Sequence, residues 1–180
     1  FAALTSVNPA AVMHYQPTYT ATIKRPLKSL MRKFPVVGAS STCLIDLGCG
    51  SGKVLHIAQS MMIHVNLIGI DIHPQLLSNA ASNFRIANRD DSGMQFNKLD
   101  IKAKYKSNKA KLQLLLSDVN DVSFEKLLEP FDVVVVHNKN SFDKKTTLNS
   151  FQKIRAACEG KSFFYLYNNP VFDEIFDGFQ

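Results

Sequence analysis

The sequence predicts an α/β fold built on a doubly wound, mostly parallel sheet. Short apolar segments alternate with segments of helical periodicity, and one glycine-rich turn joins a strand directly to a helix. This order of elements is typical of a parallel sheet with right-handed crossovers and helices on both faces. With 180 residues, of which 46% are hydrophobic, the chain can form one domain with a sizeable core.

Five short apolar runs are the predicted strands. They occupy residues 42–47, 65–70, 112–116, 131–136 and 162–167. The consecutive valines in the fourth run are typical of a central strand that is buried on both faces. Ligands of such sheets bind beyond the carboxyl ends of the strands, so we expect the functional residues directly after each run.

Helices are predicted where apolar residues recur at helical spacing between these strands. The predicted helices are residues 53–62, 74–87 and 144–158. Pro74 suits the first turn of the second helix. Residues 88–111 are polar and rich in lysine, which favours a solvated connecting loop. A nucleic-acid-binding patch is the alternative, which the scarcity of aromatic and arginine residues disfavours.

Composition and charge leave the partner and the oligomeric state open. The net charge of +6 favours an anionic ligand, but so small a surplus is compatible with neutral partners. Three cysteines without a C-x-x-C pair predict neither a disulfide framework nor a metal site, so we expect a reducing, cytoplasmic compartment. No segment approaches the roughly 18 to 20 apolar residues of a membrane helix. The first residues also lack the pattern of a secretion signal.

The segment D-L-G-C-G-S-G, residues 46–52, is the most informative stretch of the chain. Its glycines let the backbone turn sharply and approach a ligand closely. The backbone N–H groups of the following helix suit a carboxylate or a phosphate. A P-loop is excluded because Lys53 is followed by Val54 rather than Ser or Thr. Lys53 also occupies the position of the third glycine in a dinucleotide fingerprint, which disfavours NAD and FAD.

The run LIDLGCGSGKVLHIA resembles the first S-adenosylmethionine (SAM) binding motif of class I methyltransferases. The resemblance implies a Rossmann-like fold and SAM as the cofactor. It also implies that the glycine loop passes beneath the methionine part of SAM and that Asp46 orients the amino group of the cofactor. The residues of this loop expected at the cofactor are Asp46, Gly48, Cys49, Gly50 and Gly52.

Residues after the next two strands extend the resemblance. Asp71 in IGIDIH is expected to bind the ribose, because adjacent hydroxyls offer two donors to the two oxygens of a carboxylate. Ile72 is expected to pack on the adenine, and Asp118 in LLLSDVND to lie beside the adenine amino group. An N-cap or turn role is the alternative for Asp118. For Asp46 and Asp71 the alternative is a pair of strand-end turns.

Both ends of the chain carry a closer resemblance. YQPT at residues 15–18 and FYLYNNP at residues 164–170 are similar to motifs of a little-characterised group of bacterial-type methyltransferase domains. The resemblance implies that Tyr15, Pro17 and Thr18 fold over the cofactor, with a plain turn as the alternative. Residues 1–41 are predicted as an N-terminal lid or adapter and residues 42–180 as the SAM-binding domain. Because a complete fold of this family continues past the fifth strand, we expect a shortened or truncated sheet.

The segment after the fourth strand is expected to face the methyl acceptor. Methyl transfer from a sulfonium depends on positioning and desolvation, so no universal catalytic triad is expected. Asn138 is expected to orient an attacking amine and His137 to act as a base, with a structural role as the alternative for His137. Asn168 and Asn169 are candidates for the same rim, with a strand-ending turn as the alternative.

The resulting hypothesis is a SAM-dependent methyltransferase whose acceptor is unidentified: a protein, a nucleic acid or a small molecule. The Asn-Pro-Pro-aromatic signature of relatives that methylate nitrogen is missing after the fourth strand. A non-catalytic SAM-binding or interaction module with the same fold is therefore the alternative.

Overall fold

The computed structural model of the protein describes residues 19–62, 64–88, 103–106, 111–139 and 142–168, with the backbone alone at residues 85–88 and 103–106. The helices are α1 (Thr20–Lys33), α2 (Lys53–Met61), α3 (Pro74–Asn88), α4 (Phe124–Leu128) and α5 (Lys144–Ala157). The strands are β1 (Thr42–Leu47), β2 (Asn66–Asp71), β3 (Ala103–Lys106), β4 (Lys111–Leu116), β5 (Val133–Asn138) and β6 (Ser162–Tyr167). None of the described helices is long and apolar enough to cross a membrane.

The strands form one sheet in the order β3-β4-β2-β1-β5-β6. β1 lies between β2 and β5, and every pairing from β4 to β6 is parallel. β3 pairs antiparallel with β4 at one edge. The parallel strands are those that the apolar runs predict. This arrangement confirms the predicted doubly wound, mostly parallel α/β fold.

Helices pack on both faces of this sheet, because successive strand residues point to opposite faces. On one face, α1, α2 and α3 pack with Leu44 of β1 and Val135 of β5 in one apolar core. On the other face, α4 and α5 pack with Ile45 of β1 and Val136 of β5 in a second core. Every residue of β1 and β5 is buried. Burial on both faces explains why these two strands read as continuous apolar runs rather than as alternating patterns.

Helix α1 is an element that the sequence analysis does not predict. Its residues Ile23 and Leu27 are buried in the same core as α2, and Leu30 packs against that core. This spacing is a helical signal, but Pro26 inside the helix obscures it, because an interior proline removes a hydrogen bond and disfavours a helix. The prediction that residues 1–41 form a lid or adapter stays a prediction, since residues 1–18 lie outside the described residues.

Strand β3 lies within the lysine-rich segment that the sequence analysis predicts as a loop. It pairs only with β4 among the described strands, so it forms an edge of the sheet. Lysines on an edge strand are typical, because charged side chains discourage pairing with another chain. Lys104 and Lys106 lie on this strand, and Lys111 at the start of β4 is exposed. A nucleic-acid contact of this segment stays a prediction.

Candidate functional site

The carboxyl ends of β1, β2, β4 and β5 bring most of the predicted site residues together. Asp46 lies one residue before the end of β1, and Asp71 is the last residue of β2. In the parallel register Asp46 stands opposite His137, and Leu47 opposite Asn138. Tyr15 and Thr18 lie outside the described residues, so their expected place over the cofactor stays a prediction.

The glycine loop between β1 and α2 has the backbone conformation that only glycine adopts easily. Gly48, Gly50 and Gly52 have φ values of 69°, 52° and 78°, in the left-handed region that carries a steric penalty for other residues. The N–H groups of Gly48 and Cys49 both donate to the carbonyl of Ile70, at 2.9 and 3.0 Å. The loop is therefore fastened to the end of β2.

Asp71 fastens the same loop through its side chain. One carboxylate oxygen accepts the N–H of Gly50 at 2.8 Å, and the other accepts the N–H of His73 at 2.8 Å. The residue is only 8% exposed. Because each carboxylate oxygen offers more than one lone-pair site, these two bonds leave acceptor capacity for the hydroxyls of a ribose. Asp71 thus braces the loop and presents a fixed carboxylate beside it, with half-buried Ile72 as the next residue.

Asp118 follows β4 and caps a short 3-10 turn, Val119–Asp121. Its carboxylate accepts the N–H of Asn120 at 2.8 Å, which is the geometry of the N-cap alternative. The preceding residue, Ser117, donates its N–H to the carbonyl of Asp71 at 3.1 Å. Asp118 is therefore held near the end of β2, and its contact with adenine stays a prediction.

A hydrogen-bonded chain, buried at Asp46 and His137 and half-buried at Asn168, joins β1, β5 and the end of β6. The Nδ1 atom of His137 lies 2.7 Å from a carboxylate oxygen of Asp46, and its Nε2 atom lies 2.8 Å from the side-chain nitrogen of Asn168. Asp46 and His137 are 2% and 3% exposed. Burial raises the pKa of Asp46 above its ordinary value, while the hydrogen-bonded imidazole of His137 opposes the shift. No sequence pattern predicts this pairing.

Cys49 lies in the glycine loop, near the carboxylates of Asp46 and Asp71. Burial raises the pKa of its thiol well above the ordinary value, and the negative charges of Asp46 and Asp71 raise it further. A thiol that stays protonated is a poor nucleophile and a poor metal ligand. Cys49 therefore acts here as a small, buried loop residue.

Asn138 points to the opposite face of the sheet from His137. It is fully buried, and its side-chain nitrogen donates to the hydroxyl of Tyr165 at 3.1 Å. Burial raises the pKa of Tyr165 to about 12, so this hydroxyl stays protonated near neutral pH. Next to Asn138, burial and the nearby charge of Lys53 lower the pKa of Lys139. Two lysine side chains therefore lie near each other at this end of the site.

A narrow, closely packed groove between α1 and the sheet lies beside His137. His137 and Asn168 supply polar groups to it, and the remaining lining is mostly apolar. The other lining residues are Thr22, Ile23, Pro26, Leu27, Leu44, Val54 and Leu166. Because α1 is not predicted from the sequence, its contribution to this lining is not predicted either. The helical spacing of Ile23, Leu27 and Leu30 is the sequence signal that indicates α1.

Comparison with known proteins gives a family and a fold. The methyltransferase domain family matches residues 39–160. The chain is similar to the PH0226 protein from Pyrococcus horikoshii OT3, with 15% identity and a TM-score of 0.52 over 88% of this chain and 58% of that protein. It is also similar to an S-adenosylmethionine-dependent methyltransferase from Clostridium acetobutylicum ATCC 824, with 14% identity and a TM-score of 0.50 over 83% of this chain and 50% of the other.

A SAM-dependent methyltransferase from Anabaena variabilis ATCC 29413 shares 14% identity with the chain and has a TM-score of 0.50, over 83% of this chain and 52% of the other. The chain thus spans between 50% and 58% of the length of these three solved structures. No curated protein matches the chain by sequence. The similar structures share the fold, and the family match covers more than half of the sequence. The chain therefore belongs to the methyltransferase domain family, which confirms the predicted class I methyltransferase fold and SAM as the cofactor.

Proposed function

We propose that this domain binds SAM across the carboxyl ends of β1, β2 and β4 and transfers its methyl group to an acceptor at the ends of β5 and β6. One observation carries the proposal: the carboxylate of Asp71 holds the N–H of Gly50 at 2.8 Å. This bond joins the loop expected beneath the methionine part to the group expected on the ribose. Both halves of a SAM site are therefore fixed relative to each other before the cofactor binds, which reduces the entropy lost on binding.

The expected contacts of SAM follow the order of the strands. Asp46 receives the α-ammonium, the loop from Gly48 to Gly52 passes beneath the methionine part, and Asp71 accepts both ribose hydroxyls. The adenine packs on Ile72, with Asp118 beside its amino group. Tyr15 and Thr18 are proposed to cover the bound cofactor, as the resemblance of the YQPT segment implies.

The transfer step is an in-line displacement at the methyl carbon. The bond between the sulfonium sulfur and the methyl group breaks while the bond from the acceptor forms, leaving S-adenosylhomocysteine and a methylated acceptor that loses a proton. The protein contributes positioning and exclusion of water. We propose that Asn138 orients the acceptor and that His137 is the candidate base. The hydrogen bond to Tyr165 fixes the direction of the buried side-chain amide of Asn138.

The acceptor is a protein, a nucleic acid or a small molecule. The three cysteines Cys43, Cys49 and Cys158 are free and buried, which supports a reducing, cytoplasmic compartment.

Thermal unfolding tests the cofactor assignment. SAM and S-adenosylhomocysteine should raise the Tm, while NAD and ATP should not, because the loop matches neither a dinucleotide fingerprint nor a P-loop. A ligand at about 100 times its Kd adds about 2.7 kcal/mol to the free energy of unfolding. For a chain of this length, that corresponds to a Tm increase of about 5 to 10 °C. Equal stabilisation by NAD would contradict the proposal.

Labelled SAM tests whether the domain is an enzyme. The protein is incubated with extracts separated into protein, nucleic-acid and small-molecule fractions, and the labelled fraction identifies the class of acceptor. Asn138→Ala should then lower turnover with little change in SAM affinity, because a group that orients the acceptor acts mainly on the transition state. Tyr165→Phe removes only the hydroxyl that holds the Asn138 amide, so it should lower turnover less than Asn138→Ala does. If SAM binds tightly but no fraction is labelled, the non-catalytic module is the better assignment.

A further inference from the structure

The hydrogen-bonded chain of Asp46, His137 and Asn168 is the feature whose purpose the proposed contacts leave unexplained. It crosses three parallel strands at the edge where the cofactor is expected, and its two ionisable members are 2% and 3% exposed. Removing a carboxylate and an imidazole from water costs free energy unless their hydrogen bonds are satisfied. Apolar residues would fill these positions at lower cost, as they do at most other positions of β1 and β5.

The contacts fit one proton arrangement when Asp46 is ionised. Because an ionised carboxylate only accepts hydrogen bonds, the Nδ1 atom of His137 then carries the hydrogen that Asp46 receives at 2.7 Å. The Nε2 atom then accepts a hydrogen from the side-chain nitrogen of Asn168 at 2.8 Å. With this assignment the imidazole is neutral and the pair of Asp46 and His137 carries one negative charge. Asn168 selects this tautomer by occupying the other ring nitrogen.

We propose that His137 is a positioning residue for SAM: its Nδ1–H holds the ionised Asp46 carboxylate towards the α-ammonium of the cofactor, and SAM binds only when the pair is not protonated. This inference rests on the proposed contact between Asp46 and the cofactor. It gives His137 a role in cofactor affinity that is separate from any role as a base. Asn168, which follows β6, thereby connects the acceptor side of the site to the cofactor side.

The sign of the pH dependence follows from charge. SAM brings an ammonium and a sulfonium to the site, so it is attracted by a pair with one negative charge and less by a neutral pair. When the pair takes up one proton, on either residue, that attraction is lost. SAM affinity should therefore fall as the pH falls. One linked proton limits the change to about tenfold in Kd per pH unit.

Two ionisable groups interact electrostatically with Asp46: Asp71 at the end of β2 and Cys49 in the glycine loop. The other ionisable residues at this end of the sheet are His73 after β2, Lys53 at the start of α2 and Lys139 after β5. On α1, the polar side chain that lines the same groove is that of Thr22, which is not ionisable. A variant that changes only His137 is therefore needed to isolate the contribution of the pair.

The experiment is a calorimetric titration of SAM at a series of pH values from about 6 to about 8. His137→Asn keeps an N–H near the Nδ1 position but cannot take up a proton itself, so it should retain affinity at the upper end and show a different pH dependence that comes from Asp46 alone. His137→Phe and Asp46→Asn should each weaken SAM binding by at least about tenfold at the upper end. His64→Asn is the matched control, because His64 is exposed in the turn before β2, at the opposite edge of the sheet.

Titrations in buffers of different ionisation enthalpy add a direct readout, because the wild-type protein should release protons when SAM binds near the lower end of the range. The His137→Asn variant should release fewer protons on binding SAM. A histidine with a purely structural role would not produce this difference in proton release. Identical pH profiles for the wild type and a folded His137→Asn variant would overturn the inference while leaving SAM binding intact. A wild-type protein that binds no SAM at any pH would instead overturn the proposed function, and this inference with it.

Discussion

Replacing Asp71 should affect both the stability of the domain and its affinity for SAM. The carboxylate of Asp71 accepts two backbone N–H groups, from Gly50 and His73, each at 2.8 Å. Asp71→Ala leaves both donors without this partner in a site where the residue was 8% exposed. Asp71→Asn keeps one carbonyl acceptor but turns an amide donor towards the other N–H, and it removes the negative charge. The two variants therefore separate bracing of the loop from binding of the ribose.

The expected magnitude follows from these two bonds. A hydrogen bond to a charged group contributes about 1.5 to 3 kcal/mol, and the desolvation of a buried carboxylate offsets part of that sum. We therefore expect Asp71→Ala to lower the free energy of unfolding by about 3 kcal/mol. In a chain of this length, that is a Tm decrease of about 6 to 12 °C. Asp71→Asn should cost about half as much, yet weaken SAM binding by at least about tenfold, or 1.4 kcal/mol.

Thermal unfolding and calorimetric titration of SAM measure the two effects. Asp132→Ala is the matched control, because Asp132 is exposed and lies directly before β5, at the opposite edge of the sheet. It should leave the Tm and the Kd for SAM nearly unchanged. Unchanged SAM affinity in a folded Asp71→Asn variant would refute the ribose contact. An unchanged Tm in Asp71→Ala would refute the idea that Asp71 braces the glycine loop.

The remaining predictions concern backbone conformation and helix ends, all measured by thermal or denaturant unfolding. Gly52→Ala should lower the free energy of unfolding more than Gly160→Ala does. Both glycines have positive φ, which costs any other residue about 1 to 2 kcal/mol. A Cβ at position 52 would in addition lie 3.0 Å from the Cβ of Ala80. Lys161→Met should cost about 2 kcal/mol, because its Nζ donates to the carbonyls of Leu128, Glu129 and Phe131; an unchanged Tm contradicts this. Asp143→Ala should remove the N-cap of α5, at a cost of about 1 kcal/mol. Because the N–H of Thr146 lowers the pKa of Asp143, this stabilisation is present above the ordinary pKa of aspartate and is lost as the pH falls below it; a pH-independent difference would refute it.

The sequence by itself determined the local features of this domain. The strands β1, β2, β4, β5 and β6 are apolar runs, and a buried strand must be apolar wherever it lies in the sheet. The glycine loop is equally local, since the positive φ values at Gly48, Gly50 and Gly52 require glycine whatever surrounds them. The position of Asp71 at a strand end also follows from the pattern, because parallel strands end at one edge of the sheet.

Only the tertiary structure decided which side chains meet. Asp46 and His137 are 91 positions apart in the sequence, and their contact depends on the register between β1 and β5, which the chain pattern does not encode. Asn138 points to the opposite face of the sheet, towards Tyr165, because neighbouring residues of a strand point to opposite faces. α1 likewise forms despite Pro26, because burying Ile23 and Leu27 against the sheet outweighs one missing hydrogen bond. Contacts between distant segments are set by packing and register, and those exist only once the sheet has formed.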